Sequence, residues 1–323
     1  MKNFKKQKLS RNPGIDLNLD WIDSIQMNRS AIERRCETLI KRRSIKNEWQ
    51  AAWLLRSISC MDLTTLSSDD TSERVKRLCY KAQQPISLEL IKKLGVKKLR
   101  PRVGAVCVYH AYVQTAFEAL KNTGIPVAAV STGFPHGLIS LSRRIEEIKD
   151  SVDSGANEID VVITRAHVFS GNWKALYDEI FAFRKACGNA HLKTILGTGE
   201  LGNFRNIAKA SLVCMMAGAD FIKTSTGKES INANLPVSLV MLRMIREYCE
   251  LTGYKIGFKP AGGISKAKHS IDWLILMKEE LGREWLEPNL FRFGASGLLT
   301  DIERQLEHFA TGRYSASHRH PVA

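Results

Sequence analysis

Strand-like and helix-like segments alternate along most of this chain, and this alternation restricts the folds that the chain can adopt. Eight short apolar runs, each followed by a longer helix-like stretch, recur between residues 57 and 312 at a spacing of roughly 30 residues. The predicted strands are 57–62, 103–109, 126–131, 158–163, 191–197, 219–224, 255–259 and 290–295. The predicted helices are 72–84, 111–123, 139–153, 173–188, 203–217, 235–251, 266–282 and 298–311. The repetition indicates βαβ units and therefore an α/β fold.

Two architectures accommodate such units, namely a closed (β/α)8 barrel and a doubly wound open sheet. Eight units in about 250 residues match the barrel. Polar residues also alternate with apolar ones on several strands, as at Asp160, Lys193 and Lys223. Barrel strands present one face to the interior and the other to the helices, so this alternation favours closure. We therefore predict a single (β/α)8 TIM barrel whose polar groups converge at one mouth.

The two ends of the chain lack the repeating pattern. Residues 1–14 are polar and lysine-rich and are predicted to form a disordered basic tail. Residues 15–56 are predicted to be an N-terminal helical extension, and 57–312 the barrel. Residues 313–323 are predicted to be a flexible C-terminal tail. The chain is thus expected to be one barrel domain with added terminal segments.

Composition narrows the class of protein. No apolar run approaches the ~20 residues that a membrane span needs, and the basic start lacks the apolar segment of a secretory signal. The seven cysteines are odd in number and include no CxxC pair. Reduced thiols in a cytoplasmic protein are therefore the expectation.

The formal net charge of +15 is strongly basic, and residues 1–50 contain 12 Lys or Arg against 6 Asp or Glu. Such a face either binds nucleic acid without sequence preference or is the solvated surface of an enzyme with an anionic substrate. No nucleic-acid recognition motif accompanies the charge, which favours the enzyme. A basic nucleic-acid-binding or scaffold protein on a catalytically weakened barrel is the alternative.

Two lysines stand near the ends of predicted buried strands. Lys223 follows Phe221 and Ile222, and Lys259 follows Phe258. Burial penalises an ammonium group, and two such cations on consecutive strands repel each other. One amine is thereby pushed towards its neutral form, which is a nucleophile for carbonyl carbon and gives a Schiff base. A buried Lys–Asp ion pair without chemistry is the structural alternative.

Eight motifs, taken in order, carry a resemblance to a known family. They are MDLTTL (61–66), AVCVY (105–109), GFPHG (133–137), EIDVV (158–162), LKTIL (192–196) with TGEL (198–201), FIKTSTGK (221–228), GFKPAGG (257–263) and RFGAS (292–296). With these motifs the chain resembles the deoxyribose-phosphate aldolases, which are class I (Schiff-base) aldolases, and it looks closest to the animal form. The match runs from about residue 49 to 314.

The resemblance implies reversible cleavage of 2-deoxy-D-ribose 5-phosphate to D-glyceraldehyde 3-phosphate and acetaldehyde. It assigns the Schiff base to Lys223, the second lysine to Lys259 and the catalytic carboxylate to Asp160. Asp160 is placed to polarise an ordered water for the proton transfers. Another phosphosugar lyase on the same barrel is the rival within the enzyme class.

Four further residues are candidates for supporting roles. Lys193 either extends a proton relay or pairs with Asp160 or Asp62. Asp62 either binds a substrate hydroxyl or holds a lysine in place. Cys107 resembles the family's active-site cysteine, but an imine mechanism needs no thiol, so small apolar filler is favoured. Thr226 lies in the loop after the sixth strand.

The phosphate site is predicted in the glycine-rich loops at the mouth, where backbone N–H groups can approach an anion. The candidate residues are Gly227, Lys228, Gly262, Gly263, Ser265, Gly294 and Ser296. Ser265 stands where the family commonly has Arg, and Gly297 where it commonly has a second Ser. Both changes remove side-chain donors, and Lys266 is a candidate to compensate. Other departures are His110, Tyr112 and Thr164.

Two other motifs are interpreted as decoys. GTGELG at 197–202 fits G-x-G-x-x-G, but it does not lie in a first βαβ unit, and Asp220 begins its strand instead of ending it. Gly227 and Lys228 do not form a P-loop, because Glu229 follows where Ser or Thr is required. The eight histidines show no metal spacing. We therefore predict that the protein uses no metal and no cofactor. Its expected partner is a small sugar phosphate substrate, and no association with a membrane is expected. Whether the protein forms a homo-oligomer is left open.

Overall fold

The computed structural model describes residues 11–42 and 44–322. The α-helices in these two ranges are α1 (Leu19–Ser24), α2 (Arg29–Arg42), α3 (Asn47–Ser59), α4 (Ser72–Gln83), α5 (Leu88–Lys93), α6 (Val113–Ala119), α7 (Leu141–Asp153), α8 (Arg165–Phe169), α9 (Trp173–Ala186), α10 (Phe204–Met216), α11 (Leu235–Thr252), α12 (Ala267–Leu281) and α13 (Gly297–Thr311). The strands are β1 (Met61–Thr64), β2 (Ala105–Tyr109), β3 (Val127–Ser131), β4 (Glu158–Val162), β5 (His191–Ile195), β6 (Phe221–Lys223), β7 (Gly257–Lys259) and β8 (Phe293–Ala295).

The strands form one parallel sheet that curls into a barrel. From β1 to β7 each strand pairs with the next one along the chain, and β1 also pairs with β8, which gives the order β7-β6-β5-β4-β3-β2-β1-β8. The remaining gap, between β7 and β8, is bridged by the parallel pairs Phe258–Phe291 and Ala261–Gly294. The predicted (β/α)8 TIM barrel is confirmed, and the doubly wound open sheet is excluded by these closing pairs.

Alternation along the strands separates the hydrophobic layer from a polar interior. On β4, Ile159 and Val161 belong to the hydrophobic core that the helices cover. Asp160, which lies between them, points into the barrel and bonds to Lys223 of β6. In a closed barrel, residues two apart on a strand share a face, so the interior collects the polar residues of several strands.

Most predicted strands and helices agree with the structure to within a few residues, but the first strand was misplaced. Residues 57–59, predicted as strand, form the last turn of α3, and β1 begins at Met61. Ile58 is fully buried and lies four residues after Leu54, also buried, so it continues the apolar face of the helix. Two short helices, α5 and α8, fall outside the predicted segments.

The N-terminal extension consists of α1, α2 and α3, and it covers the outside of the barrel. Helix α2 packs against α11 and α12, and α3 packs against α12 and α13. The predicted boundary of the disordered tail at residue 14 is wrong, because Asn12 is buried and its side-chain amide donates to the carbonyl oxygens of Met215 and Ala219. The rest of that predicted tail, residues 1–10, lies outside the described residues.

The segment after α13 also packs on the barrel. Ser315 and His320 are buried, and the Ser315 hydroxyl and His320 Nε2 lie 2.6 Å apart. Thr300 and Arg304 of α13 donate to the carbonyl oxygens of His320 and Ser315, respectively. Through residue 322 the predicted flexible tail is therefore docked on α13, because its polar groups find partners there. None of the helices described is long and apolar enough to span a bilayer.

Candidate active site

Three of the predicted catalytic side chains meet inside the barrel. Lys223 Nζ donates to Asp160 Oδ2 at 2.8 Å, and Lys259 Nζ donates to the same oxygen at 2.7 Å. Lys223 and Lys259 are register partners on β6 and β7, so the sheet places their side chains side by side. Asp160 and Lys259 are fully buried, and Lys223 retains 2% of its surface. The structure thus brings together the two lysines and the carboxylate that the sequence singled out.

The two lysines have opposite pKa shifts. Burial lowers the pKa of Lys223, Asp160 opposes that effect, and the Lys259 ammonium lowers the pKa further. Burial also acts to lower the pKa of Lys259, but Asp160 and Asp62 raise it above its ordinary value. Lys259 therefore stays charged while Lys223 is biased towards the neutral amine. Both effects expected from the sequence act on Lys223, and burial is a larger cause than the repulsion from Lys259.

The ionic cluster is larger than predicted. Lys193 Nζ lies 3.1 Å from Asp160 Oδ1 and 3.2 Å from Asp62 Oδ2, so of the two roles considered for Lys193 its contacts show the ion pair. Asp62 also pairs with Lys259 at 2.5 Å, which fits the role of holding a lysine in place. Although burial acts to raise the pKa of Asp62, Arg292 and the two lysines hold it well below its usual range.

Glu158 and Arg292 were not predicted as site residues, yet both belong to this cluster. Arg292 donates to Asp62 and to Glu158, the second contact at 2.8 Å. Strand parity would have found Glu158, because it lies two residues before Asp160 on the same strand and so faces the same interior. Arg292 carries the same signal, because it lies two residues before Gly294 in the predicted strand 290–295, although β8 of the structure begins one residue later, at Phe293.

Cys107 lies within the barrel interior on β2, where it packs with Ala128 and Val130. Burial raises the pKa of its thiol above the ordinary value. A protonated thiol is a poor nucleophile. This environment supports the interpretation of Cys107 as apolar filler.

A cavity of about 400 Å³ opens above Lys223 at the carboxyl end of the strands. The segments after β1, β6, β7 and β8 line it, in agreement with the predicted mouth. The lining residues are Thr64, Thr65, Leu66, Ser67, Lys223, Thr226, Gly227, Lys228, Ala261, Gly262, Gly263, Ile264, Ser265, Gly294, Ala295, Ser296 and Gly297. Every predicted phosphate-binding residue is among them, whereas Lys266 is not. Of the lysines in the described ionic cluster, Lys223 alone reaches this cavity.

The loop after β6 holds its own carboxylate, Glu229. The backbone N–H groups of Thr226 and Gly227 donate to Glu229 at 3.0 and 3.2 Å, and the Thr226 hydroxyl donates to it at 2.8 Å. Glu229 is 9% exposed and lies 3.8 Å from Arg165 Nη2. The Gly227 N–H was expected to serve a substrate phosphate, but an internal anion already occupies it. The sequence analysis used Glu229 only to reject a P-loop.

Glycines are required where the backbone closes around the cavity. A Cβ on Gly294 would lie 2.8 Å from the Ala261 Cβ and 3.3 Å from Cε of Lys259, so a side chain there would clash with Ala261 and crowd the lysine. Gly262 has φ +81°, and a Cβ there would lie 2.6 Å from the Asn232 side chain. Ser265 and Ser296 are exposed at the rim. The start of α13 at Gly297 adds a helix N-terminus, which favours an anion.

The G-x-G-x-x-G decoy lies beside a different cavity of about 430 Å³, which Thr198, Gly199 and Gly202 help to line. Asp220, the acid at ribose-binding spacing in the sequence, does not line it. Its carboxylate binds Arg184 at 2.7 Å and the backbone N–H of Leu192 at 2.8 Å. The contacts of Asp220 are therefore structural and agree with the rejection of a nicotinamide site.

Comparisons with known proteins agree with the geometry. The DeoC/LacD family aldolase model matches residues 56–272. Deoxyribose-phosphate aldolase from Mus musculus is 59% identical over 312 residues, covering 96% of this chain and 98% of the mouse protein. The Homo sapiens protein of the same name is 58% identical over 316 residues, covering 97% of this chain and 99% of its own length.

A solved structure supports the fold alone, because its sequence identity is low. The tetrameric deoxyribose phosphate aldolase from Aeropyrum pernix aligns with a TM-score of 0.57 at 21% identity, over 82% of this chain and 97% of that one. The sequence comparisons carry the assignment of family, and they span nearly the whole chain. The protein described here belongs to the DeoC/LacD family of aldolases.

Proposed function

We propose that this protein is a class I aldolase that reversibly cleaves 2-deoxy-D-ribose 5-phosphate to D-glyceraldehyde 3-phosphate and acetaldehyde. The observation that carries the proposal is the position of Lys223. Its amine lies at the floor of the cavity, with one oxygen of Asp160 shared between it and the charged Lys259. The names of the mouse and human relatives supply the substrate.

The proposed reaction begins with a nucleophilic attack. The neutral amine of Lys223 attacks C1 of the open-chain sugar and forms a carbinolamine. Loss of water then gives the iminium, with the proton needed for departure of the hydroxyl supplied by Lys259 or through Asp160. Asp160 Oδ2 links the two groups, since it accepts from Lys223 Nζ at 2.8 Å and from Lys259 Nζ at 2.7 Å.

Bond cleavage follows from the electron demand of the iminium. Removal of the proton from the C3 hydroxyl allows the C2–C3 bond to break, and its electron pair moves into the iminium to form an enamine. C3 leaves as the aldehyde of D-glyceraldehyde 3-phosphate. Protonation at C2 and hydrolysis by one water release acetaldehyde and restore Lys223, so the water lost earlier is returned and the cleavage is redox-neutral.

The far side of the cavity suits the phosphate group. Gly262, Gly263 and Ser296 present backbone and hydroxyl donors, and the α13 N-terminus lies beside them. Lys228 adds a cationic side chain at the rim. Because Glu229 occupies the amides of Thr226 and Gly227, we infer that the phosphate is bound mainly by the β7 and β8 loops.

Product analysis tests the proposed function. Purified protein is incubated with 2-deoxy-D-ribose 5-phosphate, and acetaldehyde and D-glyceraldehyde 3-phosphate are measured, with other sugar phosphates in parallel. We expect both products in equal amounts from the deoxyribose substrate, and none from the Lys223→Arg variant. Cleavage of a different sugar phosphate in preference would identify another lyase. Absence of aldol cleavage by correctly folded protein would refute the proposal.

A further inference from the structure

The ionic cluster below Lys223 extends further than imine chemistry requires. Glu158 and Arg292 are 5% and 4% exposed, and they bond to each other at 2.8 Å. Glu158 also bonds to Lys193 at 2.5 Å, and Arg292 bonds to Asp62. Neither side chain lines the substrate cavity. Any effect of this pair on the reaction must therefore act through the lysines and carboxylates above it.

The carboxylates are distributed unequally among the lysines of the cluster. Among the described residues, Lys193 lies within ion-pair distance of Asp62, Glu158 and Asp160. Lys259 is within that distance of Asp62 and Asp160. Lys223 has Asp160 alone, at 2.8 Å. Each lost carboxylate contact makes an ammonium less favourable, so Lys223 is the lysine that loses its proton at the smallest cost.

The total charge of the cluster also indicates that one of its lysines is neutral. In the part of the chain that the structure describes, four cations (Lys193, Lys223, Lys259 and Arg292) meet three carboxylates (Asp62, Glu158 and Asp160). The cluster is electrically balanced when one of the four gives up its proton. An uncompensated charge in a buried position is costly. Arg292 cannot be that group, because a guanidinium does not deprotonate in a protein.

We propose that Glu158 and Arg292 are positioning residues for the Schiff-base step, which keep Lys193 and Asp62 in place and set the charge balance that leaves Lys223 as the free amine. The inference rests on the proposed function, since it presupposes that Lys223 is the nucleophile. Its distinctive content is that two side chains remote from the substrate control the pH range in which the amine reacts.

The sign of each effect follows from the groups that face Lys223. These are Asp160 on β4, Lys259 on β7 and Cys107 on β2, with the remainder of the cluster behind them. Removing the negative charge of Glu158 leaves excess positive charge, which disfavours the Lys223 ammonium. Removing the positive charge of Arg292 has the reverse effect. One unit charge at this kind of separation in a partly screened interior shifts a titration by about one pH unit.

The experiment measures the pH dependence of adduct formation on Lys223. Protein is treated with acetaldehyde and cyanoborohydride from about pH 5 to about pH 10, which covers the titration of a lysine amine whose pKa is lowered. The initial rate of adduct formation is obtained from peptide mapping. The acid limb is the part of the pH–rate profile in which the rate rises with pH as Lys223 loses its proton. For Glu158→Gln we expect this limb to move to lower pH by about one unit. For Arg292→Met we expect it to move to higher pH by a similar amount.

Two further variants guard against misfolding as an explanation. The double variant Glu158→Gln/Arg292→Met removes one charge of each sign, so its acid limb is expected to return to the wild-type position. Arg292→Lys keeps the charge but loses the forked geometry, so we expect a wild-type limb with a lower rate. A general loss of stability would lower rates without producing these opposite shifts and their cancellation.

The matched control is the buried pair Arg144–Glu179, which is 2.8 Å long and packs α7 against α9 outside the barrel. Arg144→Met and Glu179→Gln are expected to leave the acid limb in place. If wild-type protein forms no adduct on Lys223, the proposed function itself fails. If wild-type protein forms the adduct but the cluster variants do not move the limb in opposite directions, the inference fails while the proposed function stands.

Discussion

The interior cluster and the cavity mouth bind charge in different ways. In the interior, buried side chains of both signs contact one another directly, as in the bonds of Lys259 to Asp62 and Asp160. At the mouth, backbone N–H groups and a helix N-terminus face an open cavity, and Lys228 is exposed. Removing one partner from a buried ionic cluster leaves an uncompensated charge. An anion bound by backbone groups is held by many donors, so the loss of one donor has a smaller effect.

This contrast bears on two of the departures that the family resemblance implies. Ser265 and Gly297 both lie at the mouth, where the loss of one side-chain donor leaves the backbone donors in place. No departure was found among the two lysines and Asp160. Substitutions inside the cluster should therefore have much larger effects than substitutions at the mouth, and the following variants test that difference in order of expected effect.

The largest effect is expected from Asp160→Asn. The change removes the carboxylate that both Lys223 and Lys259 contact and the group placed for proton transfer. We expect kcat/KM to fall by about 10²–10⁴-fold, the usual contribution of general acid–base catalysis. The measurement is steady-state cleavage of the deoxyribose phosphate, with circular dichroism to verify folding. A loss of less than tenfold in folded protein would remove Asp160 from the mechanism.

Lys259→Met should change the pH profile. The pKa of Lys223 is lowered first by burial and then by the Lys259 ammonium. Without that cation the pKa of Lys223 rises, so a higher pH is needed for the same fraction of neutral amine. We expect the acid limb of kcat/KM to move up by about one pH unit, besides a fall in the maximum. An acid limb that stays in place or moves down would contradict the predicted repulsion.

Glu229→Gln should selectively weaken the binding of phosphorylated substrate at the cavity mouth. The Glu229 carboxylate accepts hydrogen bonds from two backbone N–H groups and one hydroxyl. A glutamine amide would turn its NH₂ group, which is a donor, towards these donors. We expect KM for the phosphorylated substrate to rise by about tenfold, the effect of one charged hydrogen bond, with little change for unphosphorylated 2-deoxyribose. The control is Glu200→Gln, which also removes a partner of Arg165. An equal rise in KM for both substrates would mean that Glu229 maintains the structure of the whole barrel mouth.

The smallest effect is expected from restoring side-chain donors at the mouth. A Cβ at Gly297 meets no atom within 4 Å, so Gly297→Ser fits without displacement. Together with Ser265→Arg it should lower KM for the phosphorylated substrate by roughly two- to fivefold. The effect is small because the two changes add only one or two hydrogen bonds to the phosphate at a site that is already solvated. An unchanged KM would show that the backbone already saturates the phosphate site.

The sequence was a good guide to the barrel and to the two lysines, and physical reasons account for its failures. Strand periodicity and motif order predicted that Lys223, Lys259 and Asp160 lie close together, as they do in the structure, because parallel strands bring equivalent positions to one height. Residues 57–59 were misassigned because a short apolar run has no period that separates strand from helix. The same period of two applies to Arg292, which lies two residues before Gly294 in the predicted strand 290–295, but Arg292 was not singled out as a site residue.

The role of Glu229 was out of reach for a similar reason. Its contacts with Thr226 and Gly227 depend on the closed shape of one loop, and loop geometry is not encoded in hydrophobic periodicity. The docking of Asn12 and His320 was missed because polar composition alone suggested free tails. Their side chains and carbonyls bind groups distant in sequence, which no local pattern reveals.

Covalent trapping on Lys223 tests the central claim most directly. The protein is incubated with acetaldehyde, reduced with borohydride, digested and mapped by mass spectrometry. The account predicts N-ethyl-lysine at Lys223, with Lys193 and Lys259 unmodified, because burial and a single carboxylate partner make Lys223 the free amine. An unmodified Lys223 in folded protein, or an adduct on Lys259 in its place, would contradict the account.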